Sequence, residues 1–186
     1  VLGVGGVKGW QYWQAQLAEK AGMEWYSAIA LSEAGKTAEA DAVFDQITKS
    51  GHKGYSILAK LSQAARLGQD GKTTDAVKIY DAVAGDGSVD QPLRDLAKVR
   101  AAYLLVDSAS VADLASRLKG LDDRNSSWRH AVREILALAH IRASDYKAAD
   151  EQLKLILADQ ATPAALRTRT VLVSAQIQTL LPETAN

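Results

Sequence analysis

One spacing, repeated along the chain, constrains its fold more than any other feature. Ala28, Gly35, Ala40 and Phe44 follow one another at intervals of seven, five and four, and Ala64, Gly71, Ala76 and Tyr80 keep those intervals 36 residues later. The local text agrees, since Gly35-Lys36-Thr37-Ala38-Glu39-Ala40 reads against Gly71-Lys72-Thr73-Thr74-Asp75-Ala76. Small residues at these places let paired helices approach closely, the Gly ends the first helix of each pair, and the aromatic fills the seam. Ala102, Leu114 and Leu118 keep the intervals of twelve and four, with Leu replacing Ala and the aromatic. Ala137, Ser144, Ala149 and Leu153 keep the whole pattern. Equivalent positions Ala40, Ala76, Leu114 and Ala149 are 36, 38 and 35 apart, so extra residues fall in loops, chiefly Gly85-Asp86-Gly87-Ser88 and Asp122-Asp123-Arg124-Asn125-Ser126.

A two-helix repeat of about 34 residues is the tetratricopeptide signature. The expected fold is therefore all-α, a tetratricopeptide-type helix-turn-helix solenoid of about four repeats with a C-terminal capping helix. The repeats are expected near 15–50, 55–85, 92–121 and 128–158, within a repeat region 10–162; residues 1–9 precede it and 163–186 form the capping helix and tail. Helices are expected at Lys8 to Ala34, then from Thr37 to about Ser50, Tyr55 to Leu67, Thr73 to Val83, Pro92 to Val106, Ser110 to Leu118, Trp128 to Arg142, Tyr146 to Leu157 and Pro163 to Leu180. Thr37 is expected to cap the second of these, and Thr162 to cap the last with Pro163 at its first position. No alternating strand pattern occurs. The last helix has no pair of its own and reads as the cap that shields a solenoid's final apolar face.

Composition narrows the function. At 186 residues the chain suits one domain. The 22 Lys and Arg balance 22 Asp and Glu, which leaves no electrostatic case for nucleic acid. No Cys is present, which removes disulfides, thiolate metal sites and Cys nucleophiles together. His52, His130 and His140 have no metal-ligand spacing; His130 and His140 lie ten apart, about 80° around a helix axis at 3.6 residues per turn. Gly3-Val4-Gly5-Gly6-Val7-Lys8 places Lys where a dinucleotide fingerprint needs its third Gly, and no strand precedes it. Asp86-Gly87-Ser88-Val89-Asp90 reads as a turn and helix cap rather than a calcium loop. The expectation is a protein that is not an enzyme, with no cofactor and no metal.

In stacked repeats of this kind the first helices line a groove. Counting from the Ala references, the groove positions hold Trp25, Ile29 and Glu33, then Leu61 and Ala65, then Val99, Tyr103 and Asp107, then Glu134, Leu138 and Arg142. The candidate partner-binding set is Trp25, Ile29, Leu61, Tyr103, Glu134, Leu138 and Arg142. A groove so apolar suits an apolar or amphipathic protein segment, not a basic clamp for a peptide carboxylate. The competing assignment makes Leu61, Val99 and Leu138 core between imperfectly aligned repeats.

The N-terminal run Val1-Leu2-Gly3-Val4-Gly5-Gly6-Val7 is apolar and is followed at once by Lys8, Trp10, Tyr12 and Trp13, which is how a membrane helix leaves the hydrocarbon. Seven residues do not span a bilayer, which takes about 20. Together with Gly9-Trp10-Gln11-Tyr12-Trp13, the run Ser127-Trp128-Arg129-His130-Ala131-Val132-Arg133-Glu134-Ile135-Leu136-Ala137-Leu138-Ala139 and the closing Ala161-Thr162-Pro163, the chain resembles the ancillary SecYEG translocon subunit family, in its alphaproteobacterial branch. The resemblance implies a transmembrane helix N-terminal to the domain, of which residues 1–9 are the remnant, a periplasmic domain at the bacterial inner membrane, and a role in exported-protein handling. Implied partners are translocon components, periplasmic chaperones or exported clients; the family supplies no catalytic residues to transfer. The alternative is a soluble cytosolic adaptor whose first helix packs into its own groove.

Overall fold

The computed structural model describes residues 2–181, with side chains from Val7 onward. Val1 and residues 182–186, which begin the segment 1–9 and end the segment 163–186, lie outside the described residues. Among the described residues the chain forms nine α-helices and no strand: α1 (Leu2–Glu33), α2 (Thr37–Lys49), α3 (Lys53–Gln69), α4 (Thr73–Gly85), α5 (Gln91–Leu105), α6 (Val111–Arg117), α7 (Arg129–Arg142), α8 (Tyr146–Ala158) and α9 (Ala164–Gln178). The fold is all-α, of the tetratricopeptide helix-turn-helix type. α1 starts at Leu2 rather than at Lys8, because no proline interrupts the Gly-rich run and helical hydrogen bonding continues through it.

The repeated landmarks are the seams. Ala28, Ala40, Ala64, Ala76, Ala102, Leu114, Ala137 and Ala149 are each fully buried, and Phe44, Tyr80, Leu118 and Leu153 are buried beside them. An Ala at a seam leaves room for the facing backbone, and the larger residue four positions on fills the space this opens. Burying a side chain the size of Phe44 contributes about 1.5–3 kcal/mol.

The turns repeat as closely as the seams. Gly35 and Gly71 adopt left-handed backbone at φ +73° and +74°, and Ser144 takes the same place at φ 60°. Each closes its helix with the same two bonds: Lys36 N–H donates to Leu31 O and Gly35 N–H to Ser32 O, Lys72 to Leu67 and Gly71 to Gly68, Asp145 to His140 and Ser144 to Ile141. This is the Schellman arrangement, which satisfies carbonyls that the helix end leaves over. Two expected caps differ. Lys36, not Thr37, occupies the N-cap of α2 and makes no side-chain cap; the Thr37 hydroxyl instead donates back to Gly35 O at 3.4 Å. Pro163, not Thr162, precedes the first residue of α9, and the buried Thr162 hydroxyl donates to Ile156 O at 2.6 Å.

Contacts gather into two compact units, residues 1–97 and 98–186. In the first, α1 packs on α2 and α3, α2 on α3, and α3 on α4. Its core holds Ala28, Ala40, Phe44, Ile47 and Ala59, with Trp25, Ile29 and Tyr55 against them. Arg66, buried on α3, is paired with Asp41 of α2. In the second, α6 packs on α7, α7 on α8, and α8 on α9. Val99, Ala102, Leu114, Leu118, Val132 and Ile135 form one core, and Ala137, Ala149, Leu153 and Ile177 another. The end of α8 is clamped to the start of α7: Asp159 accepts from Arg129 Nε at 2.7 Å and from the Ala161 N–H at 3.0 Å, with His130 Nε2 at 2.9 Å. Arg167 of α9 donates to the carbonyls of Leu157 and Asp159, both at 2.6 Å.

Among the described residues no helix is long and apolar enough to cross a membrane. α1, at 32 residues, is much longer than its 13-residue partner α2. Trp10, Tyr12 and Trp13 on its N-terminal half are 63%, 69% and 56% exposed, and burial starts only near Leu17 and Ala21.

Candidate functional site

The groove positions fall into register sets. Counted by sequence interval alone, one register set holds Trp25, Leu61, Val99 and Glu134, and the next holds Ile29, Ala65, Tyr103 and Leu138. In the first set Leu61 and Val99 are buried core residues. Glu134 belongs to that same set and is only 8% exposed. A carboxylate at an apolar, buried position needs hydrogen-bond donors or a countercharge, since burying it alone is costly.

Two donors answer it. The Tyr103 hydroxyl, from α5, donates to Glu134 Oε2 at 2.6 Å, and Arg169 Nε, from α9, donates to Glu134 Oε1 at 2.6 Å. Burial, and then the bond to Glu134, push the Tyr103 hydroxyl well above the usual phenol range, so it stays a proton donor. Adding the last repeat interval of 35 to Glu134 and to Leu138 gives 169 and 173, so Arg169 and Val173 continue both sets onto α9.

These residues enclose a cleft. Tyr103, Glu134, Leu138, Leu153, Arg169, Thr170 and Val173 line a cavity of about 300 Å³. That is at the small end of the range for ligand pockets, about 300–1,000 Å³. Leu138, Leu153 and Val173 supply apolar wall, and the Tyr103–Glu134–Arg169 bridge supplies the polar wall.

Three of the seven candidate groove residues, Tyr103, Glu134 and Leu138, therefore border one site. The others lie elsewhere. Trp25 and Ile29 are half-buried against the α1–α2–α3 core, and the Trp25 indole N–H is shut off from solvent with no hydrogen-bond partner among the described residues. Trp25 also meets the Tyr26 ring edge-on, with centroids 5.5 Å apart. Leu61 is buried in α3. Arg142 is exposed, and its guanidinium donates to Ala109 O, tying the end of α7 to the turn before α6. Glu33, Ala65 and Asp107 are exposed. The first unit has its own depression of about 330 Å³, lined by Leu17, Lys20, Ala21, Glu24, Gln46 and Ser50, none of them a predicted groove position.

The groove positions counted from the Ala references leave out Arg169, Thr170 and Val173, because α9 has no paired helix and reads as a cap. Two signals pointed there: one further step of the 35-residue interval, and the presence of a carboxylate in an otherwise apolar set.

His130 and His140 each face an aspartate, Asp159 at 2.9 Å and Asp145 at 3.2 Å, and both contacts join helix ends. Among the described residues no group of three or more His, Cys, Asp or Glu side chains is placed to hold a metal ion.

No curated protein and no solved structure matches the chain. A family model described as a tetratricopeptide repeat-like domain matches residues 1–135, from α1 through Tyr103 and Glu134. With buried seams and repeated turns at the positions such a repeat requires, the chain belongs to the tetratricopeptide repeat-like domain family.

Proposed function

We propose that this chain is a protein-binding scaffold that stands in the bacterial periplasm, held at the inner membrane by a transmembrane helix of which residues 1–9 are the remnant, and that it assists exported proteins at the translocon. Membership of the tetratricopeptide repeat-like family carries the general part, an interaction scaffold. The membrane and translocon part is supported by the resemblance of the Gly9–Trp13 and Ser127–Ala139 runs to the ancillary translocon subunits. One structural observation supports it most. The N-terminal half of α1 holds three large aromatics, Trp10, Tyr12 and Trp13, in the open, one to two turns after the apolar run. Trp and Tyr at that distance from an apolar segment suit the membrane–water interface.

These 186 residues hold no Cys, so the introduced thiol is new to the domain, and the unsubstituted gene product is the labelling control. A single exposed cysteine, Ser127→Cys, is introduced into the full-length gene product. Cells are then treated with a membrane-impermeant maleimide, with the outer membrane permeabilised and the inner membrane intact. Labelling, together with retention in carbonate-washed membranes, is the expected result. Protection from the reagent and recovery in the soluble fraction would replace this proposal with a cytosolic adaptor.

A further inference from the structure

We infer that the cleft of the second unit selects a protein segment that presents one large apolar side chain flanked by a carboxylate. This deepens the scaffold reading and rests on its general part alone, since an acidic apolar segment fits the cleft in either compartment.

The apolar half follows from the walls. Leu138, Leu153 and Val173 leave a cavity of about 300 Å³ that admits a bulky side chain, and such an anchor in a desolvated pocket dominates the energy of many protein contacts.

The acidic half follows from counting donors and acceptors. The carboxylate in the wall, Glu134, already accepts one bond at each oxygen, from Tyr103 and from Arg169, and is buried. Glu134 is 8% exposed and its charge is already balanced by Arg169, so it offers an incoming Lys or Arg little uncompensated charge. The cations have capacity to spare. The Arg169 side chain is 58% exposed and its hydrogen bond to Glu134 is made through Nε, which leaves the two terminal NH2 groups as further donors. Arg100, exposed one turn before Tyr103, acts electrostatically on that ring together with Arg169. Glu134 and Arg169 are the two charged side chains that line the cleft, and of these the arginine is the exposed one. A guanidinium with free terminal nitrogens is built to take a carboxylate by paired hydrogen bonds. Asp107 and Arg142, at the next register step beyond the cleft, are opposite in sign and add no net charge to this side.

The test is a selection of displayed random peptides against the whole chain, followed by fluorescence anisotropy on the winners. The expected consensus is a large apolar residue with Asp or Glu within one helical turn of it. Replacing that acid by its amide should weaken binding to the parent by about tenfold, as loss of a charge-assisted bond does. The same peptide change should have little effect on the Arg169→Gln variant, because the two changes remove one interaction. Val173→Trp, which fills the cavity, should abolish binding while circular dichroism shows the helical content kept. The peptide substitution needs no change to the protein, so the proposal stays testable if either variant fails to fold. Selection of no peptide, of basic or charge-free peptides, or of peptides that bind the folded Val173→Trp variant equally well would overturn it. So would decanoate binding at least as tightly as the winners, which would make the site one for a free apolar acid. Failure of the cysteine-labelling experiment leaves this result untouched.

Discussion

Ser144 does at the fourth repeat what Gly35 and Gly71 do at the first two. It holds left-handed backbone and closes its helix with the same pair of bonds, yet it carries a Cβ. A non-glycine residue there costs roughly 1–2 kcal/mol, while glycine loses about 0.4–1 kcal/mol through the unfolded chain. Ser144→Gly should therefore stabilise the protein by about 0.5–1 kcal/mol in urea titration. Gly35→Ala and Gly71→Ala should each destabilise it by about 1 kcal/mol, and that loss is purely backbone strain because a Cβ at either place meets no atom within 4 Å. A Ser144→Gly variant less stable than the parent, beside a destabilised Gly71→Ala variant, would show that the turns differ in kind. The seam residues make a second comparison. Ala40→Leu or Ala76→Leu should cost roughly 1–3 kcal/mol by overpacking, and Ala148→Leu, one position off the seam and only half-buried, should cost less. Matching melting shifts at Ala76 and Ala148 would put the seam elsewhere.

At the scale of elements, the α7–α8–α9 corner is held by charge as well as by packing. Asp159 lies among Arg129, His130 and Arg133, and its carboxyl is held well below the usual carboxylate range, first by the bond from Arg129 and then by that from the Ala161 N–H. A carboxyl whose folded pKa is depressed adds stability above its unfolded value, about 3.9, and that stability is lost as pH falls from there toward the folded value. Asp159→Asn should thus lower the melting temperature at pH 7, and the gap from the parent should narrow as pH drops below about 4. A gap that stays constant down to pH 2 would mean that the charge of Asp159 adds nothing and that the loss comes from hydrogen-bond geometry alone.

For the molecule as a whole, the two compact units predict local consequences of local damage. Repeat proteins sum neighbour contacts, so strain in one helix pair does not have to spread. Ala40→Leu should speed amide exchange in α1, α2 and α3 and leave α8 and α9 protected as in the parent. Uniform loss of protection along the chain would make the molecule a single cooperative unit. The cleft belongs wholly to the second unit, so the same variant should leave peptide binding there unchanged.

Much of this was open to sequence reasoning because helices and their turns are local. A helix is closed by bonds four residues apart, a left-handed Gly by its own backbone, and a seam by small residues at fixed intervals, so Ala28 to Phe44 and Ala64 to Tyr80 could be placed without coordinates. The third and fourth copies, with Leu and Ser in place of landmarks, were placed by the same intervals, and their residues are buried as the first two are. What no local rule determines is which groove residue faces a cleft and which is covered. Trp25 and Tyr103 looked alike as aromatic groove positions. In the tertiary structure Trp25 lies on the core of its own repeat, while Tyr103 reaches across to Glu134, 31 residues on, and Arg169 closes the bridge from 35 residues further still. That difference rests on the distance between helices remote in sequence, and only packing of the whole chain decides it.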